Sequence, residues 1–237
     1  MGDVSQKMKS ITIFISGLII GFIALFIWAW IKIQPDVKAE PTKTNYSNAR
    51  LSKVPFEGEW FVFWGGETPE QNAHHGIGVQ NFALDLVIHS KEEKSHKFDG
   101  RKNEDYYCWN KDILAAHEGK VVVSVDGIPD NIPGKMNPQM VYGNVVMIQD
   151  SLGFVSVYAH LKNGSVSKRV GDLVSAGDRL GSCGNSGNSS EPHLHFHVQS
   201  ESGFESGLSI RPLFDKLKIN GLPRESYYPI KSERISP

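Results

Sequence analysis

Past residue 33 the sequence has no long apolar run and no segment where hydrophobic residues keep the 3.6-residue helical period. That absence argues against a helical domain. Cysteine is scarce: Cys108 and Cys183 are the only two, and no Cys-x-x-Cys pair occurs, which argues against a thiolate metal site. Excess positive charge is missing as well. The formal net charge is −1, with no basic run and no interleaving of basic and aromatic residues, so nothing in the electrostatics favours nucleic acid. No internal repeat stands out.

What is present divides the chain into four parts. A short tail, residues 1–10, precedes the apolar run at 11–33, which carries no charge before Lys32 and is long enough to cross a ~30 Å hydrocarbon core. Trp28 and Trp30 sit near one end as interfacial anchors. With no small-residue cleavage site behind it, the run reads as an uncleaved transmembrane signal anchor. Lys7 and Lys9 before it are matched by Lys32, Lys38 and Lys43, so charge does not fix its orientation. Residues 34–55 are polar and aperiodic and read as a stalk. Residues 56–237 suffice for one globular domain.

That domain reads as all-β. Short apolar or alternating runs at 60–64, 82–88, 120–125, 144–149, 154–161 and 193–199 are separated by Gly, Asn, Asp and Pro clusters. The expectation is a single antiparallel β sandwich or partly closed barrel. Only 212–218 hints at a short helix.

The run His193-Leu194-His195-Phe196-His197 follows a Gly/Asn/Ser-rich loop, and its alternation is that of a strand. The three imidazoles then share one face, with neighbours roughly 6.6 Å apart. One can bind a metal while the next works on a water attached to it. Further ligands must come from elsewhere among the nine histidines and the acids. His74 and His75 lie in a loop. Asp85 interrupts the apolar run at 82–88, a costly place for a carboxylate that is neither paired nor cation-bound. In 155–161, Val157, Ala159 and Leu161 take one face, which puts Tyr158 and His160 on the other.

Together these motifs resemble the lysostaphin-type (LytM-like) zinc metallopeptidases, which cut peptide bonds in bacterial cell-wall peptidoglycan. The resemblance rests on Asn72-Ala73-His74 with Phe82-Ala83-Leu84-Asp85, then Ile113-Leu114-Ala115 through Glu118-Gly119-Lys120-Val121, and Gly143-Asn144-Val145-Val146. It continues through Tyr158-Ala159-His160-Leu161, the 170–178 run, Gly184-Asn185-Ser186-Gly187 and Pro192-His193-Leu194-His195-Phe196. It implies a duplicated-hybrid-motif-like β fold. It also implies Zn2+ held by His74, Asp85 and His195, with His193 and His160 as catalytic residues acting on water and the tetrahedral intermediate. Which of the two is base stays open, and Tyr158 is either a supporting donor or a packing residue.

Three departures stand out. His74 and Asp85 are eleven residues apart where four is common in that family, which leaves His75 as a rival ligand. Ala116 stands where proline is common. His197 replaces a usual Glu or Gln, either lining the groove or hydrogen-bonding behind the ligand. The cysteines invite a disulfide in an extracytoplasmic domain, with buried free thiols an equal alternative. Loops at 90–112 and 127–142 are the places to look for specificity.

The expectation is therefore a single-pass cell-membrane protein with an extracytoplasmic zinc endopeptidase domain acting on peptidoglycan peptides. The alternatives are a catalytically silent wall-binding or hydrolase-activating module on the same fold, and a zinc peptidase acting on a secreted peptide.

Overall fold

The structure, a computed structural model, describes residues 48–237. The expected anchor at 11–33, the tail before it and the stalk up to residue 47 lie outside the described residues. Thirteen strands follow: β1 (Asn48–Leu51), β2 (Trp60–Trp64), β3 (Leu84–Val87), β4 (Asp112–Leu114), β5 (Gly119–Val125), β6 (Asn144–Gln149) and β7 (Val155–Leu161) come first. Then come β8 (Leu173–Val174), β9 (Arg179–Ser182), β10 (Leu194–Gln199), β11 (Ser209–Ile219), β12 (Leu222–Tyr227) and β13 (Arg234–Ser236). The helical content of the described residues is two 3₁₀ turns, at Gly78–Gln80 and Asn103–Asp105.

Eleven strands form one sheet in the order β1-β11-β13-β2-β3-β10-β7-β6-β5-β8, with β12 on β11. A further pairing of β10 with β11, Val198 opposite Ile210, closes β11, β13, β2, β3 and β10 into a ring. The all-β, partly closed barrel is thus what forms. The other half stays open, as β7, β6, β5 and β8.

Both faces of the open half are covered, so its strands read as nearly continuous apolar runs. On one side Tyr158, Leu194, Phe196, Val198 and Phe214 belong to the main core. On the other, Val145, Met147, Val155, Val157 and Ala159 form a smaller cluster. Every residue of β7 is buried as a result.

Three expectations need correction. Residues 212–218 are not a helix but the middle of β11. Their inward residues Ile210, Pro212 and Phe214 alternate, then the phase slips to Leu217 and Ile219, and that step imitates helical spacing. The supposed end of the stalk, 48–55, belongs to the domain: β1 pairs in parallel with β11, and Ala49, Leu51 and Val54 are buried. Tyr158 does not share a face with His160. Its ring packs on Phe196 in the main core, and its hydroxyl accepts the Ala116 backbone N–H at 2.8 Å.

Candidate metal centre

The ladder itself brings the first two ligand candidates together. β3 and β10 run antiparallel with Asp85 directly opposite His195, so both side chains leave the same face as near neighbours. Asp85 is therefore on an interior strand, not an edge. Its Oδ1 is 2.9 Å from His195 Nδ1 and its Oδ2 is 2.9 Å from His74 Nε2.

His74 arrives from a loop that Asn72 organises. The buried Asn72 amide donates to the carbonyls of Gly66 and Ala83 at 3.2 and 3.0 Å, and its Oδ1 accepts the His74 backbone N–H at 3.0 Å. This is the physical content of the Asn-x-His lead-in: one side chain ties the loop to the start of β3 and sets the angle at which His74 enters. The long spacer to Asp85 folds into a compact turn closed by Gly76 N–H on Asn81 Oδ1 and by the 3₁₀ turn.

His75 is exposed and is not among the clustered donors. His75→Ala should accordingly keep its metal, while His74→Ala should lose it. Metal content after gel filtration checks the pair, and the reverse pattern would move the ligand to His75.

Electrostatics agree with a cation site. Burial alone would raise the Asp85 carboxyl, yet His74 and His193 beside it, with hydrogen bonds from His195 and His74, hold it well below the ordinary carboxylate range. Burial works against charge on His74 too, but Asp85 outweighs it and pushes the imidazole up. The donor atoms of His74, Asp85 and His195 all lie within 4.8 Å of one another. Two imidazole nitrogens and a carboxylate oxygen are the donors zinc takes at about 2.0–2.2 Å, and three protein ligands leave a fourth position open. The residues present fit a zinc ion.

His193 and His160 stand next to this set. His193 Nε2 is 3.7 Å from Asp85 Oδ1, and the His160 ring centroid lies 4.7 Å from that of His193 and 5.7 Å from that of His195. Each is fixed through its other nitrogen. His193 Nδ1–H donates to the Glu191 carbonyl at 2.8 Å, and His160 Nδ1–H to the Ser186 carbonyl at 2.8 Å. In a neutral ring so held, Nε2 is the lone pair, and neither Nε2 has a protein hydrogen-bond partner among the described residues. Burial, followed by the neighbouring imidazoles His193 and His195, depresses His160 well below the ordinary histidine value. His160 reaches the metal side of the sheet because its backbone is left-handed, at φ 58°. The strand alternation breaks there, which is why Tyr158 and His160 part company. Non-glycine residues in this region store strain, and such strain gathers at functional sites.

The Gly/Asn/Ser loop that delivers His193 is braced by both long insertions. Asn131 donates to the carbonyls of Gly187 and Ser189, Asp130 accepts the Asn185 backbone N–H, and Asn103 accepts from the Asn185 amide. Gly187 is left-handed at φ 78°, and a Cβ there would stand 2.3 Å from both the Gly143 nitrogen and the Met140 carbonyl oxygen. Gly187→Ala should lower stability by more than the ~1–2 kcal/mol of left-handed backbone alone, since backbone atoms block the methyl. A melting curve reads this, and an unchanged Tm would contradict it.

A cleft of about 560 Å³ opens beside the centre, lined by Phe63, Trp64, Asp85, His89, Glu191 and His193 among others, with 93–96 of the first long loop on its far wall. Opposite, the Tyr142 ring lies 6.3 Å from His195, with its hydroxyl donating to Glu205 at 2.9 Å. Sequence reasoning did not single out Tyr142. It sits at the end of an aperiodic loop, where no pattern marks it. The cysteines take no part: both are buried free thiols, and Cys108 Sγ donates to the Pro192 carbonyl at 3.0 Å.

A partly closed β barrel thus carries a His/Asp/His group with two further histidines beside it. Residues 105–206, less than half of the chain, match the model of Peptidase family M23, a span that includes His160, His193 and His195 but starts after His74 and Asp85. An uncharacterized metalloprotease of Buchnera aphidicola is 39% identical over 56 residues, 24% of this chain and 14% of that protein. The cell division protein DipM of Caulobacter vibrioides is 29% identical over 87 residues, 37% of this chain and 12% of DipM. The chain thus spans only a small part of either relative. Among solved structures, the deep-sea M23 metalloprotease pseudoalterin aligns over 76% of this chain and 90% of its own, at 18% identity and a TM-score of 0.45.

Proposed function

We propose that this chain is a membrane-anchored zinc endopeptidase whose domain lies outside the cytoplasm and hydrolyses peptide bonds in peptidoglycan. The observation that carries it is the convergence of His74, Asp85 and His195 with His193 and His160 beside an open cleft. The anchor rests on the apolar run at 11–33, and the wall substrate on the family resemblance.

Zinc in this centre would polarise the scissile carbonyl and lower the pKa of a water toward ~7. The chain's own residues do the rest. In the neutral form His193 and His160 both present a lone pair at Nε2, so either can accept the proton of the attacking water, and the imidazole that holds it can then donate to the oxyanion or the leaving amine. The carbonyls of Glu191 and Ser186 keep both rings in that tautomer. The cleft beside Asp85 and His193 takes the peptide.

Digesting purified sacculi with the full chain and weighing the released fragments tests the reading. Fragments ending at a newly cleaved peptide bond are expected. Intact sacculi, alongside cleavage of a glycine-rich or bacteriocin-like peptide, would instead make it a peptidase of secreted peptides.

A further inference from the structure

The two cysteines of the chain meet at one end of the small sheet that β4 and β9 form. These strands run antiparallel with Asp112 opposite Ser182. The pairing carries on one step beyond them: Cys183 N–H donates to the Lys111 carbonyl at 2.7 Å, and Asn110 N–H to the Cys183 carbonyl at 2.9 Å. There the chain folds back on itself. Asn110 is left-handed at φ 63°, and the Lys111 N–H returns to the Cys108 carbonyl at 3.0 Å. Both cysteines are thereby buried in the main core, where their thiols share a hydrogen bond.

A third segment is pinned to the same spot. Gly184, next to Cys183, pairs with His193 across an isolated bridge, and Cys108 Sγ donates at 3.0 Å to the carbonyl of Pro192, the residue before His193. The two sulfurs thus face each other where the 90–112 insertion, β9 and the entry to β10 converge. Neither belongs to the His74, Asp85 and His195 donor set, and neither has a part in the chemistry above. Burial, followed by the hydrogen bond with Cys108, pushes the Cys183 thiol well above its ordinary value. A thiol so held ionises reluctantly, so exchange at this pair is fastest when the thiols are uncovered.

We infer that Cys108 and Cys183 are a cross-linking site, oxidised by a small-molecule disulfide to one internal bond that ties the first long insertion to the strand entering the His193 loop. One protein thiolate attacks the small disulfide, forming a mixed disulfide and releasing one small thiol. The other then attacks the protein sulfur of that mixed disulfide, closing Cys108 on Cys183 and releasing the second. Two electrons pass from the protein to the small disulfide, and both protons end on the released thiols. The Pro192 carbonyl loses a weak S–H donor. Against that, the bond takes the freedom of the whole 108–183 loop out of the unfolded chain, which is the larger effect. The insertion it anchors supplies 93–96 to the cleft wall, and Asn103, which accepts from the Asn185 amide. Oxidation in the cell rests on the proposed location outside the cytoplasm, whereas closure of the bond in the purified protein does not.

The test equilibrates reduced full chain with a glutathione mixture rich in the oxidised form, in dilute urea that admits the reagent to the buried thiols. After denaturation and alkylation, peptide mass mapping should find Cys108 joined to Cys183 and neither residue alkylated. With the urea removed, the melting temperature should stand roughly 5 °C or more above that of the reduced chain and fall back on reduction. Cys183→Ser treated in the same way should show no rise. Two alkylated thiols, glutathione held on each cysteine, or bonds only between chains would overturn the inference. So would an internal bond that leaves the melting temperature unchanged or lowers it. The mapping uses the wild-type chain, so it decides even where Cys183→Ser fails to fold. An internally bonded, stabilised chain that cleaves no wall would support the cross-link and defeat the proposed function alone.

Discussion

Asp85→Ala is expected to abolish stoichiometric zinc binding and, with it, all turnover. Asp85 supplies one of three protein donors and is the group that both His74 and His195 face, so its loss removes the carboxylate that the two imidazoles share. The fold should survive. Removing a buried carboxylate relieves its desolvation, and Leu84, Leu86 and Val87 on either side remain packed. Elemental analysis of the gel-filtered variant together with its circular dichroism reads both halves. A folded Asp85→Ala protein holding one zinc per chain would place the metal elsewhere.

His193→Ala and His160→Ala should behave in the opposite way. Neither nitrogen belongs to the ligand set, so zinc stays. Each removes an Nε2 positioned to handle protons, and turnover should fall roughly 10²-fold or more, the usual scale for a positioned acid–base group. Of the two, His160→Ala also relieves a left-handed backbone only in part, since alanine tolerates φ 58° poorly. Its melting temperature should be measured beside its rate. Unchanged turnover in both variants would sink the catalytic roles proposed for these histidines. The contrast with Asp85→Ala also separates an enzyme from a silent wall-binding module.

The parts of the fold that were legible were those whose side chains keep one period. β2, β6 and β10 fall within a residue of the runs at 60–64, 144–149 and 193–199, because each alternates or stays apolar throughout. β11 was misread since its inward phase slips between Phe214 and Leu217, and a three-residue step is also the helical one. β1 is four residues long inside a polar stretch, too short for its two buried residues to form a pattern. β8 and β13 are shorter still, and they exist because a neighbour offers a free edge.

At the site, the histidine run announced itself through alternation, but its partners did not. Asp85 and His195 meet because β3 and β10 are paired across 110 residues, a fact of topology that no local spacing encodes. Only the family resemblance joined them beforehand. The placement of His160 was readable as a residue and not as a direction, since a left-handed histidine leaves no mark on the hydrophobic pattern. His197 could be seen to lie behind the ligand. Its contact with Gln199, and that of Gln199 with the Gly203 carbonyl, needed the turn that brings Gly203 back to the strand.

The central claim is that a zinc ion in the His74/Asp85/His195 centre drives cleavage of wall peptides. The most direct test is release of soluble fragments from purified sacculi by the full chain, followed through chelation and metal return. The account predicts that release stops when zinc is stripped and resumes on adding back one equivalent. Release that continues undiminished in zinc-free protein, or fully zinc-loaded protein that releases nothing from any wall type, would contradict it.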